Sequence, residues 1–109
     1  MKDNVVKDKS LEFAVRIVNL YKFLVNEQKE FVMSKQILRS GTSIGANIRE
    51  AEQAQSRADF INKLNIALKE ANETEYWLEL LIRTEYITRE QYESINNDST
   101  EINKLLISI

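Results

Sequence analysis

The chain is predicted to be all-α, an up-down-up-down four-helix bundle. Three observations lead there. Proline is absent and glycine occurs twice in 109 residues, so the turn residues that sheets need at regular spacing are missing. Apolar residues recur at spacings of three and four through successive segments, as helices that bury one face require. Short polar runs separate those segments, and short connections favour antiparallel neighbours. At this length the chain is one domain, with no internal repeat, low-complexity stretch or linker.

The first helix is predicted from about Ser10 to about Gln28, with residues 1–9 as a flexible lead-in and Ser10 as N-cap. Its stripe is Ala14, Ile17, Val18, Tyr21, Leu24 and Val25, with Phe13, Leu20 and Phe23 off the stripe. Glu27-Gln28-Lys29-Glu30 reads as a polar turn. The second helix is predicted from about Ser34 to about Gln55, on a stripe of Ile37, Gly41, Ile44, Ile48, Ala51 and Gln55. Many of these side chains are small, so the helix can lie close to a neighbour. The third starts after Ser56, an N-cap followed by acidic Asp59, and ends near Arg83 or Thr84. Its stripe is Phe60, Leu64, Ala67, Leu68, Ala71, Leu78, Leu81 and Ile82. The fourth has the clearest start. Thr88-Arg89-Glu90-Gln91 is a capping box, with Ile87 and Tyr92 placed as a hydrophobic staple. Asn96-Asn97-Asp98-Ser99-Thr100 has low helix propensity and predicts a weak or bent middle.

Composition removes several kinds of chemistry. Cysteine is absent, which excludes disulfides and thiolate sites, and histidine is absent, which removes the commonest general base and metal ligand. A di-metal carboxylate bundle needs Glu-x-x-His motifs, which this chain lacks. No cofactor is expected. No apolar run approaches the ~20 residues of a membrane span, and Met1–Lys9 lacks the apolar core of a signal peptide. The expectation is a cytoplasmic protein away from the membrane, and not an enzyme. The net charge is −2 but unevenly spread. Residues 31–58 hold four basic and two acidic side chains, whereas 59–109 hold five basic and ten acidic. That asymmetry suits head-to-tail contact between copies or a modest anion-facing surface.

The densest information lies in Leu38-Arg39-Ser40-Gly41-Thr42-Ser43-Ile44-Gly45-Ala46-Asn47-Ile48-Arg49-Glu50-Ala51. It holds both glycines, each of which costs a helix interior about 1 kcal/mol relative to alanine. Close approach of another backbone offsets that cost; a kink that shapes a site is the alternative. Ser43, Asn47 and Glu50 fall on nearly one face, with Arg39 and Arg57 at longer range. Such a polar line is either a recognition surface or a network across helices. No nucleophile or paired carboxylate accompanies Glu50, so a general acid–base role for it has no support.

This stretch resembles the signature of the small bacterial four helix bundle protein family, whose first members were encoded in intervening sequences of large-subunit ribosomal RNA genes. The signature Ser-Ile-x-x-Asn-Ile-x-Glu-[Gly/Ala] is met by Ser43, Ile44, Asn47, Ile48, Glu50 and Ala51. Ala58-Asp59-Phe60-Ile61-Asn62-Lys63-Leu64, Ala67-Leu68-Lys69-Glu70-Ala71 and Tyr76-Trp77-Leu78-Glu79-Leu80-Leu81 fit as well. The resemblance implies a four-helix bundle assembling into a ring-like homo-oligomer, most often a pentamer. It implies a second helix bent near Gly41 and Gly45, since sister sequences often carry proline at the latter. It also implies distant kinship with accessory proteins of diversity-generating retroelements, which bind nucleic acid and a reverse transcriptase. Those are strongly basic; this chain is slightly acidic.

The favoured expectation is a non-enzymatic oligomeric scaffold or adaptor. The apolar residues off the main stripes, Phe13, Leu20, Phe23, Ile61, Ile66, Trp77 and Leu80, are then the expected interface. The alternative is an accessory protein that binds RNA or DNA, with Lys35, Arg39, Arg49, Arg57 and Lys63 as candidate phosphate contacts. Tyr76 and Trp77 could stack a base in that reading; covering core or interface is the plainer role.

Overall fold

The computed structural model describes residues 2–109, with side chains from Val5 onward. It contains four helices, α1 Lys2–Asn26, α2 Met33–Glu52, α3 Arg57–Arg83 and α4 Arg89–Ile107, and no strand among the described residues. Each helix packs on its neighbour in sequence and α1 closes the bundle against α4, so α1 and α3 are diagonal, as are α2 and α4. The contact is most extensive between α2 and α3 and between α1 and α2, while α4 stands further off.

α1 begins far ahead of Ser10, so the flexible lead-in expected at 1–9 is helix from Lys2. Tertiary contacts supply what local propensity did not. Val6 is buried, and Lys7 Nζ pairs with Glu52 Oε1 at 3.0 Å, pinning the first turns to the end of α2. Ser10 is not a cap: it lies inside the helix, fully buried, its hydroxyl donating to the Lys7 carbonyl at 2.9 Å. The buried stripe is Val6, Ser10, Phe13, Ile17 and Leu24. Phe13, expected off the stripe, is in its centre, and Val18, Tyr21 and Val25 lie half-buried on its flank. The stripe was misphased because a serine occupies a core position.

That serine is there because of α2. A Cβ on Gly45 would sit 3.2 Å from Ser10 Oγ, and one on Gly41 would sit 2.7 Å from Ile17 Cγ1. The two glycines let the α1 side chains press against the α2 backbone. α2 runs as one helix through both, and neither takes a positive φ. It ends at Glu52, short of the expected Gln55. Toward α3 its packing face is polar but satisfied: the Thr74 hydroxyl donates to Ser40 Oγ at 2.9 Å, both groups fully buried. A satisfied buried hydrogen bond of this kind fixes the register of two helices.

The caps of α3 and α4 follow the sequence reading. Ser56 Oγ accepts from Asp59 N at 3.0 Å. Thr88 and Gln91 form the reciprocal capping box, with Gln91 N donating to Thr88 Oγ1 at 3.1 Å and Thr88 N to Gln91 Oε1 at 2.8 Å. α3 stops in a Schellman motif, where Glu85 N donates to Ile82 O at 3.0 Å and Tyr86 N to Leu81 O at 2.9 Å. The left-handed position, normally glycine, is Glu85 at φ 68°. The expected weak middle of α4 is helical throughout. Arg16 of α1 braces it by donating to Asp98 Oδ2 at 2.6 Å and Ser94 Oγ at 2.9 Å. Glu75 of α3 braces its other side, accepting from Asn103 Nδ2 at 2.7 Å and Ser99 Oγ at 3.2 Å.

Candidate functional site

The signature residues divide between core and flank. Ile44 and Ile48 are buried in the bundle. Ser43 and Asn47 are half-buried on the side of α2 that faces α3. Both bond back to their own helix: Ser43 Oγ donates to Arg39 O at 2.6 Å, and Asn47 Nδ2 to Ser43 O at 2.9 Å. Glu50 continues this flank but is exposed, and it pairs with Lys63 Nζ of α3 at 3.1 Å. The hydrogen bond and charge of Glu50, with a smaller push from Asp59, raise the Lys63 pKa above its ordinary value. A phosphate would compete with Glu50 for that ammonium.

Arg39 is committed in the same way. Its guanidinium bonds Glu70 Oε1 at 3.3 Å and forms a close ion pair with Glu73. Glu73 also accepts from Trp77 Nε1 at 3.0 Å, and Tyr76 meets the Trp77 ring edge-on at 5.1 Å. Trp77 is therefore held half-buried on the α2–α3 flank, and Tyr76 carries the exposed ring of the pair. The Arg57 guanidinium lies over the Phe60 ring, 5.8 Å from its centre. Lys35 and Arg49 have no ion pair among the described residues. They stand at opposite ends of α2, about 21 Å apart along its axis.

Sequence reasoning missed Glu30. It is a buried carboxylate ahead of α2, where Val32 at the N-cap has no capping side chain. Its Oε2 accepts from Val32 N at 3.1 Å and Met33 N at 2.9 Å, and its Oε1 from Ser34 N at 2.7 Å. The Ser34 hydroxyl returns a bond to Glu30 O at 2.9 Å. One anion thus satisfies three donors at the positive end of a helix. It acts from two residues before the N-cap, a spacing that no capping pattern flags.

The expected interface set is largely internal. Phe13 is core, and Leu20, Phe23 and Trp77 pack against the core. Ile66 and Leu80 are half-buried, while Ile61 is exposed. The large apolar side chains on the outside include Leu11, Val15, Tyr76 and Ile107, which the stripes did not single out as a group. Several open clefts indent the bundle. Among them, one of about 350 Å³ lies at the α2–α3 connection between Val6, Ala51, Phe60 and Leu64, and one of about 280 Å³ lies between α1 and α4 over Leu20, Phe23 and Ile95. Among the described residues no group of three or more acidic side chains is placed to hold a metal, and no helix is long and apolar enough to cross a membrane.

Comparison with known proteins agrees with this architecture. No curated protein matches the chain. A crystal structure of a protein of unknown function from the S23 ribosomal protein family of Bacteroides thetaiotaomicron is 98% identical and superposes with a TM-score of 0.96, over 100% of this chain and 94% of that one. The family model described as 23S rRNA-intervening sequence protein matches residues 2–108. With its signature isoleucines in the core and its glycines at the α1–α2 seam, the chain belongs to the 23S rRNA-intervening sequence protein family.

Proposed function

We propose that this protein is a non-enzymatic, self-associating scaffold of the cytoplasm, a pentamer as the family resemblance implies. One observation carries the reading. Large apolar side chains, Leu11, Val15, Ile61, Tyr76 and Ile107, stay on the outside of a bundle whose polar side chains are extensively paired with one another. Exposed aliphatics in numbers are costly unless another surface covers them. Sedimentation at micromolar concentration tests the reading: a stable oligomer is expected, and a pure monomer overturns it.

Lys35 and Arg49 support a second reading, an accessory protein for RNA or DNA, because they alone of the five candidate cations lack both an acidic partner and an aromatic one among the described residues. Two such charges give a shallow dependence of affinity on salt. Absence of any salt-dependent binding to RNA or DNA at low ionic strength eliminates this second reading.

A further inference from the structure

We propose that the cleft at the α2–α3 connection is a binding site for a small, uncharged, apolar molecule. This site is independent of the self-association reading. Four helix ends meet around it: α1 and α3 begin here, and α2 and α4 end here. The small side chains of Ala51 and Ala54 leave the space between those ends unfilled. Val6, Ile48, Ala51 and Leu64 make a nearly buried floor, and the more exposed Ala54, Phe60 and Ile109 make the walls. The walls are held unequally. Phe60 packs against the core, and the Arg57 guanidinium lies over its ring. Ile109 lies beyond α4, and its amide reaches Leu106 O over a long 3.3 Å. A ligand can therefore enter by turning one side chain, Ile109, aside from a wall that stays fixed.

The lining states the chemistry of the ligand. A volume of about 350 Å³ lies within the ~300–1,000 Å³ of small-molecule sites. Seven of the eight lining side chains are apolar, so shape and burial do the recognising. The eighth, Glu52, is already paired with Lys7 Nζ at 3.0 Å, so the charge at the rim is matched within the protein. The backbone that arches over the cleft uses its amides as well: Gln53 N donates to Glu50 O at 3.0 Å and Ala54 N to Ala51 O at 3.1 Å. A charged ligand would give up its water here for an apolar lining, which is costly. An uncharged apolar one gains by the same exchange. The α1–α4 cleft differs, because Arg16, Asn19 and Gln91 rim it.

The test uses the full chain and a matched pair of fluorescent probes, N-phenyl-1-naphthylamine and 8-anilinonaphthalene-1-sulfonate. They share one ring system and differ by a sulfonate, and both brighten in apolar surroundings. The uncharged probe is expected to bind at one site per chain, more tightly than the sulfonate by about tenfold or more. Ala54→Trp fills the cleft from its half-buried wall. It is expected to keep the helicity and to weaken the uncharged probe by about tenfold or more. Ala54→Leu replaces it if the tryptophan variant loses its fold. Saturating uncharged probe should raise the melting temperature of wild type and leave that of the filled variant unmoved. No binding of the uncharged probe overturns the site. Binding that survives the filled cleft places the probe on the outer aliphatic side chains and overturns the location. Equal affinity for the two probes overturns the uncharged chemistry. Sedimentation reads the oligomeric state separately, so failure here leaves the self-association reading standing.

Discussion

Gly41→Ala should destabilise this protein even though alanine is the better helix former. The added Cβ would sit 2.7, 2.8 and 3.0 Å from Ile17 Cγ1, Cγ2 and Cδ1, closer than carbon atoms tolerate. Ile17 is fully buried and β-branched, so it has no free direction in which to turn. Alanine gains about 1 kcal/mol of helix propensity, and over-packing costs about 1–3 kcal/mol. The expected net loss is about 1 kcal/mol, or a melting temperature lower by about 4 °C. Ile17→Ala removes all three crowding carbons and costs about 3 kcal/mol by itself. In that background the clash is gone, so Gly41→Ala should turn stabilising by about 1 kcal/mol. The four proteins form a double-mutant cycle with a coupling of about 2 kcal/mol. Urea unfolding followed by far-ultraviolet circular dichroism, at one fixed protein concentration, measures each corner. Equal stabilisation by Gly41→Ala in both backgrounds refutes the close-packing account.

Three further outcomes are expected. Glu30→Gln keeps the size of the buried cap but loses its charge and one acceptor, and should lower stability by about 2 kcal/mol in the same unfolding assay. Glu85→Gly relieves a glutamate held at φ 68° and should raise stability by about 0.5–1 kcal/mol; a loss would mean that the Schellman turn is not strained. Glu50→Gln should lower the Lys63 pKa back toward 10.5, seen by NMR titration of the lysine. Because folding raises that pKa, the pair's contribution is complete below 10.5 and fades as pH rises beyond it, so Glu50→Gln should matter less in strong alkali.

What was legible in the sequence was local. The Ser56 cap and the Thr88–Gln91 box each join residues three apart, and both take the predicted geometry. The α3 stripe was legible because every buried position in it except Thr74 is plainly apolar. The start of α1 was not, because Val6 and Lys7 become helical through contact with the bundle, which no local pattern encodes. Ser10 misled twice, resembling a cap and breaking the apolar count, for a reason that sits thirty-five residues away at Gly45. The candidate cations were legible as charges but not as partners. Glu70 and Glu73 claim Arg39 from across a helix boundary, and Glu50 claims Lys63.

The light hold on α4 has a consequence for how the molecule opens. α2 packs closely between α1 and α3, whereas α4 packs less closely on the same two helices and is tied down by Arg16 and Glu75 near its middle. The first sub-global opening should therefore be α4 swinging away, leaving a three-helix remnant. Its amides should exchange with solvent before those of α2. If Ile107 is covered by a neighbouring copy, assembly closes that door, and exchange along α4 should slow as protein concentration rises.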